Sequence, residues 1–126
     1  MPNLTTEDVL EAADHLVAAF AATDTDAYFD CFAEDATFVF HPEPARLDDR
    51  AAYERLWATW LADGWKVLEC ESTARLVQLL GDVAVFSHDV RTVTTDGETH
   101  ERETIVFTRQ GERVLAVHEH LSPQES

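Results

Sequence analysis

Lysine is almost missing from this chain: Lys66 stands alone beside eight arginines, against 25 aspartates and glutamates. The formal net charge of −16 repels nucleic acid and anionic membranes, so neither is expected as a partner. Cysteine is scarce as well. Cys31 and Cys70 are too few for a disulfide scaffold, and their apolar settings favour buried free thiols. No apolar run reaches the length of a membrane span, and the segment after Met1 lacks a basic start and an apolar signal core. A cytoplasmic protein is expected. Glycine-rich phosphate loops, a serine elbow and Cys-x-x-Cys are all absent, which removes the usual carriers of nucleotide, serine-nucleophile and dithiol chemistry. Low lysine beside abundant Asp, Thr and Ala fits a GC-rich or a salt-adapted source, without separating them.

What is present suits one globular domain. The chain has 126 residues, 45% of them hydrophobic, enough for a real core. A single domain over 1–126 is expected, with an ordered core from about 4 to 122 and a loose tail over Ser122–Ser126. Thr5-Thr6-Glu7-Asp8 reads as a helix start, and Val9, Ala13, Leu16, Val17 and Phe20 follow at helical spacing. Asp24-Thr25-Asp26 opens a short second helix carrying Tyr28, Phe29 and Phe32. Glu34-Asp35 marks a turn before a strand over 36–40, which His41-Pro42-Glu43-Pro44 ends. Asp48 or Asp49 caps a third helix bearing Tyr53, Leu56, Trp57, Trp60 and Leu61, and Gly64 stops it.

From Trp65 the period changes to two. A long bent strand runs to about Leu80, then strands run over 83–94, 99–109 and 113–121. Asp96-Gly97 is a hairpin signal, and Gln110-Gly111-Glu112 reads as a three-residue hairpin loop. The order predicts an α+β fold: a cone-shaped, curved antiparallel sheet with three helices packed on its concave face. Such a cone has an apolar mouth suited to small molecules. The last strand carries His118-Glu119-His120. Alternation puts both histidines on one face and Glu119 on the other.

Two stretches resemble the SnoaL-like branch of the nuclear transport factor 2-like superfamily, which includes ketosteroid isomerases. The first is Phe32-Ala33-Glu34-Asp35-Ala36-Thr37-Phe38, reaching His41-Pro42. The second comprises Gly81 to Phe86, Glu101-Arg102-Glu103-Thr104 and Val117 to Ser122. The second set looks most like bacterial relatives of the calcium/calmodulin-dependent kinase association domain. In those relatives an arginine on the strand matching 83–94 points into the pocket, and Arg91 matches it. The resemblance therefore implies that Val83, Val85, Ser87 and Asp89 face inward with Arg91. The three-residue loop would pair Phe107 with Leu115, Ile105 with Val117 and Glu103 with Glu119. An apolar floor would then include Ile105 and Val117, below a charged group of Asp89, Arg91, Glu103 and Glu119.

Carboxylates beside an arginine in a low-dielectric pocket acquire separated pKa values, which is how a site obtains an acid and a base. An ion-pair network that only fixes the sheet is the competing reading. His41 sits near the place of the isomerase aspartate, one residue displaced, and imidazole is a base near neutral pH. The first helix lacks the isomerase tyrosine, which counts against steroid isomerase activity. The expected catalytic residues are His41, Asp89, Glu103 and Glu119. The expected substrate-binding residues are Arg91, Tyr28, Trp57, Ile105 and Val117, with Tyr28 and Trp57 at the mouth.

No metal site and no cofactor is expected. His118 and His120 would need a third ligand, such as His88 or His100, and read better as interface residues. The outer sheet face, with His118, His120, Phe86, His88, Val90, Thr104 and Val106, is the expected homodimer surface. Two functions stand. One is a pocket for a small, largely apolar ligand with one polar or anionic group, serving a cofactor-free isomerase, dehydratase or cyclase. The other is a non-catalytic dimerisation or assembly domain.

Overall fold

The computed structural model describes residues 3–124. Helix α1 spans Thr6–Ala21, α2 Thr25–Phe29 and α3 Arg50–Ala62. Strands β1 to β5 span Phe32–Phe40, Val67–Leu80, Val83–Thr94, Gly97–Gln110 and Arg113–Pro123. Local chemistry places each helix start. The Thr5 hydroxyl accepts from Asp8 N–H while the Asp8 carboxylate accepts from Thr5 N–H, a reciprocal cap. Asp24 and Asp49 cap α2 and α3 one way only, their carboxylates accepting from Ala27 N–H and Ala52 N–H.

The sheet runs β1-β5-β4-β3-β2. Strands β2 to β5 are antiparallel, and β1 joins β5 as a parallel edge. Phe32 belongs to β1 and not to α2. Glu34 and Asp35 lie in an irregular step of that strand, where pairing to β5 jumps between Phe32 and Thr37. The core lies between the sheet's inner face and the helices. Val9, Ala13 and Leu16 of α1, Tyr53 and Trp57 of α3, and Phe38, Phe86, Ile105 and Phe107 of the sheet meet there.

Cross-strand pairing defines the inner face row by row. Val77, Phe86, Ile105, Glu119 and Phe38 form one row. The next pairs His88 with Glu103, Leu121 and Phe40. Two expectations fail here. The β4–β5 turn is a two-residue one at Gly111-Glu112, since Gln110 pairs with Arg113. A bulge at Val117 then adds one residue, so Phe107 pairs with Ala116 but Ile105 with Glu119. Strand β3 is also inverted relative to expectation. Ala84, Phe86, His88, Val90 and Thr92 are its buried residues, while Val83, Val85, Ser87, Asp89 and Arg91 face outward. Ser122 and Pro123 extend β5 opposite Arg102 and Glu101 rather than hanging loose, whereas Glu125 and Ser126 lie outside the described residues.

A second bulge, between Thr73 and Leu76, bends β2. It brings Arg75 to Asp14 of α1 at 2.7 Å and over the Phe86 ring at 5.3 Å. Ala74 in that bulge has φ of 53°, a left-handed conformation that crowds a Cβ against its own carbonyl. Ala74→Gly is expected to stabilise the fold by about 1 kcal/mol. Urea titration checks this; an unchanged midpoint would mean that the bulge carries no strain.

Candidate functional site

The curved sheet and the helices enclose a cavity of about 350 Å³. Its apolar wall includes Leu16, Val17 and Phe20 of α1, with Phe40, Val90 and Leu121 from the sheet. Its deep polar end is assembled by register. His88 and Glu103 are direct cross-strand partners, with Nε2 to Oε1 at 2.7 Å. Ser72, opposite Val90 on β2, meets the other ring nitrogen at 2.5 Å. Glu119 lies diagonal to Glu103 on the same face, because its direct partner is Ile105. The result is one line of polar groups: Ser72, His88, Glu103, Glu119.

All three titratable members of that line are buried: His88 at 3%, Glu103 at 9% and Glu119 at 1% exposure. Desolvation, then the charges and hydrogen bonding of Glu103, push the Glu119 carboxyl well above the usual carboxylate range. Burial therefore favours the neutral, protonated form of Glu119. Its Oε2 has no partner among the described residues. The Tyr28 and Tyr53 hydroxyls bond each other at 2.9 Å and both line the cavity. Burial raises both phenol pKa values well above the ordinary tyrosine range, so both hydroxyls stay protonated.

The expected site residues separate into groups. Glu103, Glu119 and Tyr28 line the cavity together. Arg91 and Asp89 do not: Arg91 stands on the outer face, bonded to Glu69 at 3.1 Å and Glu98 at 2.9 Å. No lysine or arginine lines the cavity among the described residues. Ile105 is sealed in the core, and Val117 is the bulge residue; neither lines the cavity. Trp57 is 1% exposed and donates its indole N–H to Thr25 Oγ1 at 2.9 Å. Trp60 and Trp65 line the mouth in its place. His41 sits outside the cavity wall and bonds Glu101, which is in it, at 2.6 Å.

His88 is the residue that sequence reasoning misplaced, together with Phe86 and Val90. The hairpin carried the missing signal. A two-residue turn, whether at Thr95-Asp96 as found or at Asp96-Gly97 as expected, pairs even residues of β3 with odd residues of β4. That parity puts His88 on the face of Glu103. His118 and His120 are outside, with His118 Nδ1 2.8 Å from Thr37 Oγ1. His88 is thus on the opposite face of the sheet from them. No group of three metal-ligating side chains converges among the described residues.

The cysteines are unpaired and only partly buried. Cys70 lines the cavity, and burial pushes both thiols up to about 11.

The sequence matches the model of the SnoaL-like domain over residues 9–125. The chain belongs to the SnoaL-like family. A comparison with curated proteins found no match. Among solved structures, an NTF2-like protein of unknown function in nutrient uptake from Rhodospirillum rubrum superposes with a TM-score of 0.81 at 22% identity, covering 94% of this chain and 99% of that one. A candidate calcium/calmodulin dependent protein kinase II association domain from Xanthomonas campestris gives 0.75 at 20%, covering 100% and 96%. A candidate dehydratase of the NTF2-like family from Streptomyces avermitilis gives 0.78 at 18%, covering 95% and 96%. At these identities the likeness is one of fold alone, an α+β architecture with a curved sheet. No helix is long and apolar enough to cross a membrane among the described residues.

The raised Glu119 pKa has a signed consequence. The unfolded carboxyl loses its proton near the ordinary value while the folded one keeps it. Stability is therefore lost as pH rises from about 4.5 toward the folded value, by up to about 1.4 kcal/mol per pH unit. Glu119→Gln keeps a neutral donor and removes that titration. Urea unfolding from pH 5 to 8 should show the variant gaining on the parent as pH rises; parallel profiles would mean that Glu119 is ionised in the fold.

Proposed function

We propose that this SnoaL-like protein is a cofactor-independent acid/base enzyme, an isomerase, dehydratase or cyclase acting on a small, largely apolar molecule with a carbonyl or hydroxyl group. One observation carries the reading: a buried His88–Glu103 pair beside a neutral Glu119, opening on an apolar cavity. Glu119 and the Tyr28–Tyr53 hydroxyls donate toward a substrate oxygen, where negative charge develops when a neighbouring proton leaves. His88 and Glu103 take and return that proton, with Ser72 orienting the imidazole. With Arg91 outside, no lysine or arginine lines the cavity among the described residues to hold an anionic group. The substrate's reacting end is accordingly uncharged. His41 acts only through Glu101, at the rim.

The test is exchange of carbonyl α-protons. A panel of cyclic ketones and β-hydroxyketones is screened for thermal stabilisation, and binders are followed by proton NMR in deuterium oxide. Glu103→Gln is expected to slow exchange by about 100-fold or more while binding persists. Exchange that survives in Glu103→Gln and in His88→Gln would sink the assignment.

The outer sheet face supports a second element, a homodimer. Leu80, Val83, Thr108 and Leu115 form one outer row, and Gln78, Val85, Val106 and His118 the next. Leu76, Ser87, Thr104 and His120 follow, with the charges of Asp89, Arg102 and Arg91 beyond them. An apolar and small-polar centre with a charged rim is the anatomy of an interface. Leu76 and Leu80 are 55% and 64% exposed in the single chain. Light scattering is expected to give twice the 14.2 kDa chain mass, and Leu76→Lys to return it to one chain. A monomeric parent protein would rule the dimer out, and a larger closed ring would favour the assembly-domain alternative.

A further inference from the structure

The mouth of the cavity has a charge pattern that the acid/base reading leaves unused. Glu43, Asp96 and Glu101 stand there, and no lysine or arginine lines any part of the cavity among the described residues. Arg75 is committed to Asp14 and Arg91 to Glu69 and Glu98, while His41, outside the cavity wall, bonds Glu101 and leaves Glu43 and Asp96 without a basic partner among the described residues. Trp60 and Trp65 meet at the same mouth with ring centroids 5.2 Å apart. Carboxylates and indole rings together attract one kind of group, a cation. A second observation marks the space as a ligand's. Glu119 lines the cavity while almost fully buried, and its Oε2 is unpartnered among the described residues, as a group awaiting a partner would be.

We propose that the substrate carries a protonated amine, held at the mouth by Glu43, Asp96, Glu101 and the Trp60–Trp65 pair while its uncharged polar end reaches Glu119. This rests on the cavity being a small-molecule site and adds the ligand's charge. The geometry divides the labour. The buried end meets a neutral acid, so it takes a neutral group. The half-exposed end keeps its carboxylates in contact with water, where an ammonium is paired without full desolvation. An anion at that end would face carboxylates with no lysine or arginine in the lining among the described residues to offset them.

The experiment compares three probes with one apolar body: 2-(1-naphthyl)ethylamine, 2-(1-naphthyl)ethanol and 1-naphthylacetate, titrated calorimetrically at pH 7 in low salt. The amine is expected to bind about tenfold more tightly than the alcohol, and the acetate most weakly. Added salt should erode the amine's advantage alone. Glu43→Gln with Asp96→Asn, both on the accessible rim, should remove that advantage and leave the alcohol's affinity within about twofold. Glu43→Lys with Asp96→Lys should turn the preference toward the acetate. Equal binding of amine and alcohol, or an amine preference untouched by the rim variants, overturns the charge assignment while leaving the cavity a binding site. Failure of all three probes to bind overturns both.

Discussion

Everything chemical in this molecule depends on the burial of two glutamates side by side. Glu103 and Glu119 share a low-dielectric wall, where two negative charges cannot both be held cheaply. The solution is partition. Glu103 takes the His88 imidazole, and Glu119 keeps its proton. Neither arrangement would survive in water, because solvent would ionise both. The apolar lining and the tyrosine pair leave both carboxyls little exposed to that solvent.

The fold supplies the arrangement through register more than through any single side chain. His88 meets Glu103 because β3 and β4 are joined by a tight turn that fixes their pairing. Ser72 reaches the far ring nitrogen because β2 pairs Ser72 with Val90, next on the inner face. Glu119 reaches the same wall only because Val117 is bulged out of the ladder. The β2 bulge works in the same manner, placing Arg75 against α1 instead of in the cavity. Bulges here decide which charges face the cavity. The family relationship fits this economy. A curved sheet with helices on one face is a constant frame, and the chemistry lies in the few polar residues whose parity turns them inward.

Parity is also where reading the chain failed. Helix starts are local events, and Thr5, Asp24 and Asp49 announce them in place. The strands are equally plain from their period, and the family segment around Glu34 to His41 identifies the fold. Facing was harder. Strand β3 carries valines on both sides, so its pattern is nearly symmetric, and Arg91 was assigned inward on resemblance alone. Its charge partners, Glu69 and Glu98, lie on neighbouring strands and pull it outward. Trp57 was equally opaque: helical spacing groups it with Trp60, but only packing shows that Thr25 takes its indole N–H and leaves the mouth to Trp60 and Trp65.

The order of elements, the α+β class, the acidic charge and the alternation that separates Glu119 from His118 and His120 are legible in the residues alone. These are local or compositional properties, set by capping chemistry, a period of two and the count of carboxylates. Tertiary structure alone decided which side of that alternation faces in. A two-residue turn without a bulge would have paired His118 with Ile105 and turned an imidazole into the core. The single extra residue at Val117 shifts the ladder by one and turns the carboxyl in instead. That choice depends on packing between strands distant in sequence, where a one-residue slip reverses every side chain.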